Sequence, residues 1–315
     1  MTAQAPRSAA VLGAGTIGLS AAVWLAAHGT EVTVIARRLG TVGQRLRAAR
    51  SRAERLRSLG ALNADQAHAV HDHLQVTVGP PSGVRFALVL EAVAENLELK
   101  REVLAGAEVL LDTDGVIATT TSSLPVAELA ASLRRPERFA AWHWFHPADL
   151  IELVEIVPAT TTAPDTTARL AGWSAALGKR PIILRLDTPG FVANRLQYAL
   201  LREAYALVEA GICDVADIDT AVTAALGARW AAIGPFATMD LAGLGVHAAV
   251  AEGLFPALSN TGTVPDTLAR LTAQNAGGAR EGRGLLGRYE PGQLERVEEA
   301  RDRTLVSLGR GRARS

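Results

Sequence analysis

Apolar positions at the start of the chain fall into two short runs separated by a glycine turn and a helical stretch. Residues 8–12 read SAAVL and enter Gly13-Ala14-Gly15-Thr16-Ile17-Gly18; residues 19–28 have helical composition, Gly29 stops them, and residues 31–35 are rich in β-branched side chains. This pattern predicts strand, turn, helix and second strand, a βαβ unit of roughly thirty residues. A sheet begun this way is parallel. From residue 42 to 73 the chain is polar and arginine-rich, with Leu46, Leu56, Leu59 and Leu62 at helical spacing and breaks at Gly60 and Asn63, which predicts a helix hairpin. Further strands are expected at residues 84–91, 115–119, 139–144, 153–157 and 182–186. After Thr188-Pro189-Gly190 the pattern turns helical, at residues 192–210, 215–226 and 243–254, and a charged helix follows Pro291. A change of that kind marks a domain boundary. We expect domains at 1–188 and 189–315.

At 315 residues and 49% apolar composition the chain can bury a sizeable core. Formal net charge is zero with 20% charged residues, so no excess charge favours nucleic acid or an acidic membrane. The basic residues are nearly all arginine, Lys100 and Lys179 being the lysines. Residues 1–10 carry one arginine and no long apolar run, which reads against a signal peptide. No uncharged apolar stretch reaches the roughly 18 residues of a membrane-spanning helix. Cys213 stands alone and no Cys/His spacing resembles a zinc site, so a cytoplasmic protein without a metal is expected.

Small residues where a strand turns into a helix let the backbone approach a pyrophosphate, whose charge faces the helix N-terminus. Gly13, Gly15, Thr16, Ile17 and Gly18 stand at that turn, inside the βαβ unit that gives the pattern its meaning. The fold class expected is therefore α/β, a Rossmann-type doubly wound sheet carrying the helix-hairpin insertion, followed by an all-α C-terminal domain. A glycine turn serving only helix–strand packing is the competing explanation. Folds specific for NAD place an acid at the end of the second strand, where this chain has Ala36 followed by Arg37 and Arg38. Two guanidiniums there suit a 2′-phosphate, so NADP is the cofactor expected in preference, with NAD as the alternative if both arginines face water.

Four more segments carry a family resemblance: Glu91-Ala92-Val93-Ala94-Glu95-Asn96; Thr121-Ser122-Ser123-Leu124-Pro125; His143-Trp144-Phe145-His146-Pro147 running to Glu155; and Pro189-Gly190-Phe191-Val192-Ala193-Asn194-Arg195. In this order and spacing the chain resembles the 3-hydroxyacyl-CoA dehydrogenases, from Val11 to about Tyr289. The resemblance implies hydride transfer between a nicotinamide and a hydroxyacyl thioester, carried by coenzyme A or an acyl carrier protein. Loss of hydride from a carbinol carbon needs a base for its hydroxyl proton, and imidazole titrates in the right range. By resemblance His143 is that base and Glu155 orients it, while Ser122 and Asn194 hydrogen-bond the substrate oxygen. Glu95 and Lys100 match positions lining the cofactor cleft. Arg280 falls where relatives often have a lysine, in a loosely aligned stretch. Each residue alone has an ordinary explanation as a cap, an ion-pair partner or a satisfied strand histidine.

The family usually reads His-Phe-Phe-Asn-Pro where this chain has His143 to Pro147, so His146 replaces a cofactor-facing asparagine and is expected on the opposite face from His143. His68, His71 and His73 are expected at the surface. The ending after Gly284 differs from the short terminus of fatty-acid enzymes and looks more like relatives acting on small hydroxy acids such as carnitine or sugar acids. A non-catalytic, lens-crystallin-like protein is the alternative of another class. Arg45, Arg47, Arg50, Arg52, Arg55 and Arg57 form a cationic cluster, either a solvated face or a dock for coenzyme A phosphates. The resemblance also implies a homodimer through the helices after Gly190.

Overall fold

The computed structural model describes residues 4–312. The chain forms two compact units, one made of the residues up to Asn194 together with those from Asp302 onward, the other of Arg195–Arg301. In the first unit the strands are β1 (Ser8–Leu12), β2 (Glu31–Ala36), β3 (Leu74–Val78), β4 (Phe86–Glu91), β5 (Leu111–Thr119), β6 (Phe139–Trp144), β7 (Leu153–Pro158) and β8 (Arg180–Ile183). They make one eight-stranded sheet in the order β3-β2-β1-β4-β5-β6-β7-β8. Neighbours are parallel except β6 and β7, which run antiparallel.

Helices cover both faces because the buried strands are apolar on both. On one face Leu25 of α1 (Thr16–Ala27), Leu56 of α2 (Val42–Ser58), Val70 of α3 (Ala64–His73) and Leu170 of α6 (Pro164–Ala176) pack on Val11, Val34, Trp142 and Trp144. On the other, Leu104 of α4 (Leu97–Ala107) and Leu129 of α5 (Val126–Ala130) pack on Val89, Ile117, Phe139 and Ala141. Each fully buried Leu, Val or Phe here contributes on the order of 1.5–3 kcal/mol. Alternation along β6 gives Trp142 and Trp144 to the first face and Phe139 and Ala141 to the second. His143 therefore belongs to the second face.

The second unit is helical apart from a two-stranded ladder. It comprises α7 (Ala193–Glu209) from Arg195 on, α8 (Val215–Ala221), a π-helical turn Val222–Gly227 running into α9 (Ala228–Ala232), α10 (Pro235–Ala242), α11 (Leu244–Leu254), α12 (Asp266–Ala273), the β9 (Arg283–Gly284) and β10 (Gly287–Arg288) ladder, and the first part of α13 (Gln293–Arg312). The hairpin insertion takes the expected form: Gly60 has φ 71°, and Asn63 caps α3 with Gln66 in a reciprocal pair. The second half of α13, from Asp302, joins the first unit. There Asp302, fully buried, receives Arg52 at 2.6 Å. Among the described residues no helix is long and apolar enough to cross a membrane. No group of three or more His, Cys, Asp or Glu among them is placed to hold a metal ion.

Candidate active site

Parallel pairing aligns the C-terminal ends of β1, β4, β5 and β6, and loops at that edge of an open α/β sheet are where such folds bind ligands. At the end of β1 the turn is built by close backbone approach. Gly13 has φ 119°, and a Cβ there would meet Ala92 O at 2.5 Å; one on Gly18 would meet Gly13 O at 2.2 Å. Gly15 differs: a Cβ would meet nothing within 4 Å, and the residue is exposed. The first intrahelical bond of α1 runs from Leu19 N to Gly15 O, so the amides of Thr16, Ile17 and Gly18 precede it. No side chain among the described residues caps them. An open glycine beside a helix N-terminus fits a dinucleotide pyrophosphate.

Two loops meet beside this turn. Glu95, after β4, accepts through Oε1 from Thr121 Oγ1 at 2.7 Å, Ser122 N at 2.9 Å, and Ser123 N and Oγ at 3.1 and 3.0 Å. Partial burial disfavours its charge, but the Thr121 hydroxyl, the Ser122 amide, Lys100 and the Ser123 hydroxyl outweigh that and hold its carboxyl below the usual range. The Ser122 hydroxyl makes no hydrogen bond within the described protein. Lys100 is not open to a cleft. It is 1% exposed, with its ammonium on Glu91 Oε1 and Oε2 at 2.8 and 3.0 Å, Val93 O at 3.3 Å and Glu95 Oε2 at 3.4 Å. Glu91, itself fully buried, also accepts from Val93 N and Thr119 Oγ1. A buried charge needs such saturation. Lys100 thus holds the loops that carry Glu95 and Ser122.

The antiparallel register of β6 and β7 sets His143 directly opposite Glu155. Nδ1 of His143 lies 2.8 Å from Glu155 Oε2, and the ring is 4% exposed. Glu155 Oε1 accepts from Val192 N at 3.0 Å and Ala193 N at 2.9 Å, at the start of α7. With Nδ1 facing the carboxylate, Nε2 is the nitrogen left to act. Phe145 and Phe191 meet the imidazole edge-on, with centroids at 4.3 and 5.4 Å. Asn194 follows one residue after the amides that hold Glu155, and its side chain makes no hydrogen bond within the described protein.

Other candidates fall less centrally. Ala36 ends β2 and is buried, while Arg37 and Arg38 are exposed and make no ion pair among the described residues. His146 is exposed in the loop after β6, next to the cis peptide before Pro147, rather than on a strand face. Arg280 pairs with Glu298 at 3.0 Å. His68 and His71 stack at the surface, and His73 meets Glu31 at 2.5 Å. Sequence reasoning missed the buried Glu91, the turn at Phe191 and the Lys179 ammonium. Lys179 donates to Ala148 O and Ile151 O at 2.7 and 2.8 Å beneath the Trp24 ring, and burial pushes it down to about 7.

Residues 8–188 match the NAD-binding domain of 3-hydroxyacyl-CoA dehydrogenase, and residues 190–287 match that family's C-terminal domain. The chain is 34% identical to 5-formyl-3-hydroxy-2-methylpyridine 4-carboxylate 5-dehydrogenase of Mesorhizobium japonicum, over 96% of this chain and 97% of the relative. Among solved structures it is similar to a 5-dehydrogenase of the same description, called an NAD+ dependent dismutase, with TM-score 0.89, 32% identity, and 96% and 97% of the two chains covered. It also resembles (S)-3-hydroxybutyryl-CoA dehydrogenase from Ralstonia eutropha, with TM-score 0.72, 28% identity, and 91% and 100% covered. The two matches run through the sheet-bearing part of the chain and most of the helical part after it, and the chain belongs to the 3-hydroxyacyl-CoA dehydrogenase family of nicotinamide-dependent oxidoreductases.

Proposed function

We propose that this enzyme oxidises a small carboxylated alcohol or hydrated aldehyde, with the His143–Glu155 dyad as its general base. The observation that carries the chemistry is Glu155, whose Oε1 is taken by Val192 and Ala193 amides and whose Oε2 faces His143. So held, the carboxylate keeps the Nδ1 tautomer and stabilises the imidazolium formed when Nε2 takes the substrate's hydroxyl proton. The Ser122 hydroxyl and Asn194 amide are the donors for the substrate oxygen. Gly13, Gly15, Thr16, Ile17 and Gly18 would hold the pyrophosphate of a nicotinamide dinucleotide, and that cofactor, when bound, would supply the acceptor for the hydride that leaves carbon. A formyl group adds water to give the same H–C–OH unit, so one constellation serves alcohols and aldehydes.

A small free acid is favoured over a thioester by what the arginines of α2 do. Arg52 grips Asp149 and Asp302, Arg55 lies 3.4 Å from Asp302, and Arg57 pairs with Glu54. Those charges are committed within the chain, which leaves Arg45, Arg47 and Arg50 for a carrier's phosphates. The pyridine-carboxylate dehydrogenase that aligns end to end points the same way. The test is turnover of 5-formyl-3-hydroxy-2-methylpyridine 4-carboxylate, L-carnitine and 3-hydroxybutyryl-CoA, read by nicotinamide absorbance. Preference for a free acid supports this reading. Preference for the thioester replaces it with the acyl-carrier one, and the failure of all three removes both.

NADP in preference to NAD is our reading of Ala36, Arg37 and Arg38. A charge-assisted bond to the 2′-phosphate is worth about 1.5–3 kcal/mol, roughly a tenfold to hundredfold preference. The family model is that of an NAD-binding domain, and the solved relative is called NAD+ dependent, so NAD is the outcome that opposes it. The ratio of kcat/KM for the two cofactors should fall in Arg37→Ala and reverse in Ala36→Asp. A wild type favouring NAD, unchanged in both variants, defeats the reading. The second unit we read as the surface of a homodimer.

A further inference from the structure

We propose that Phe191 is a positioning residue for His143, an inference that rests on reading His143 as the base. Its backbone φ is 52°, in the left-handed region where glycine and asparagine are at ease, yet the residue is a phenylalanine 1% exposed. The preceding Gly190 has φ 77°, and the Phe191 amide closes the turn on Thr188 O at 2.9 Å. This turn acts on both members of the dyad. Its exit delivers the Val192 and Ala193 amides to Glu155 Oε1, and its side chain lies against the imidazole with the ring planes at 65°.

His143 is bounded on one side by Phe145, with planes at 61°, and on another by Phe191, while Nδ1 is fixed by Glu155. Two rings and one hydrogen bond leave the imidazole plane a single orientation. Filling the core needs only an apolar side chain, which a leucine supplies; orienting a flat ring needs another flat ring. A bulky residue held where its backbone is disfavoured, next to a reacting group, marks a position constrained by what its side chain must do.

The experiment uses the full chain with isotope-labelled histidine, His143→Gln assigning the His143 signals, and long-range nitrogen–proton spectra reading which ring nitrogen carries the proton. Wild type and Phe191→Tyr are expected to show His143 with the proton on Nδ1 alone. Phe191→Leu is expected to show an average over both nitrogens. Its kcat should be about tenfold lower on whichever of the pyridine aldehyde, L-carnitine or 3-hydroxybutyryl-CoA the wild type turns over, with cofactor Kd near the wild-type value. A cooperative thermal transition establishes that Phe191→Leu is folded; if it is not, Phe191→Met takes its place. Wild-type signals and kcat in the folded variant overturn the inference. Full turnover by His143→Ala instead removes the assignment of the base, and the spectra still decide whether Phe191 orients the ring.

Discussion

Glu155 is fully buried, and its oxygens already face Nδ1 of His143 and the amides of Val192 and Ala193. Glutamine there must turn its NH2 either to the Val192 and Ala193 amides, losing their bonds, or to Nδ1, which then accepts and leaves the ring proton on Nε2; either way Glu155→Gln also loses the imidazolium's counter-charge. Its kcat should fall about 10²-fold, and His143→Ala should lose as much or more, with cofactor Kd nearly unchanged. Steady-state rates near wild type for His143→Ala refute the role of the dyad. Glu95 makes a separate prediction with a definite sign. Its folded carboxyl lies below the ordinary 4.5, so the stability it confers is fully present above that value and is lost as pH falls through the lower folded one. Wild-type Tm should therefore drop more steeply than that of Glu95→Gln on acidification below about pH 4.5, and parallel curves exclude the linkage. The pairing of His143 with Glu155 was legible because motif order sets the two on neighbouring strands. The partners of Glu95 and Lys100 were not, since a carboxylate's choice of donor depends on loops from β4 and β5 that only the fold brings together.

Helix α2 was readable as a helix but not as a hub. Arg52 donates to both oxygens of Asp149 at 2.7 Å and to Asp302 at 2.6 Å, each acid being fully buried, so it ties α2 to the loop after β6 and to the middle of α13. Burial opposes the guanidinium's charge, and the Asp149 and Asp302 contacts more than reverse this. Arg52→Met leaves both carboxylates buried, Asp302 with Arg55 at 3.4 Å and Asp149 in the field of the Lys179 ammonium, and should cost about 3–5 kcal/mol in chemical unfolding. Asp302→Asn leaves the Arg52–Asp149 pair intact and should cost distinctly less. Equal losses would show that the network is not organised around Arg52. Among strands, β1, β2, β4, β5, β6 and β7 announced themselves by apolar runs. Strand β3 did not, because it begins at Leu74 directly after α3 ends at His73, with no glycine or proline to separate the two. The expected last strand came too late in the chain because the apolar weight of residues 182–186 hid the pairing of Arg180 and Pro181 with Leu153 and Val154.

The two units differ in how completely they bury themselves. The first has a core on each face of its sheet, whereas no residue between Arg195 and Arg301 is buried. In that second unit Phe236 is 80% exposed and Phe255 70%, and along α11 Leu244, Val246, Val250 and Leu254 range from 63% to 50%. A helical unit with so much exposed apolar side chain is stable in water only when something covers it, and patches of this kind mark association surfaces. A second copy of the same chain is the simplest cover, since most soluble oligomers are symmetric dimers and an isologous contact hides the patch on both partners. The change to helical periodicity after Gly190 was legible, since the helices from α7 onward follow it. That the helices fail to close on themselves was not, because an amphipathic pattern reports an apolar face without saying whose surface it meets. Light scattering should therefore give twice the chain mass, constant over dilution. Val250→Asp with Leu254→Asp, charges set one turn apart on α11, should yield a monomer with a lower Tm. A wild type of single-chain mass at every concentration means that the exposed helices meet something other than their own copy.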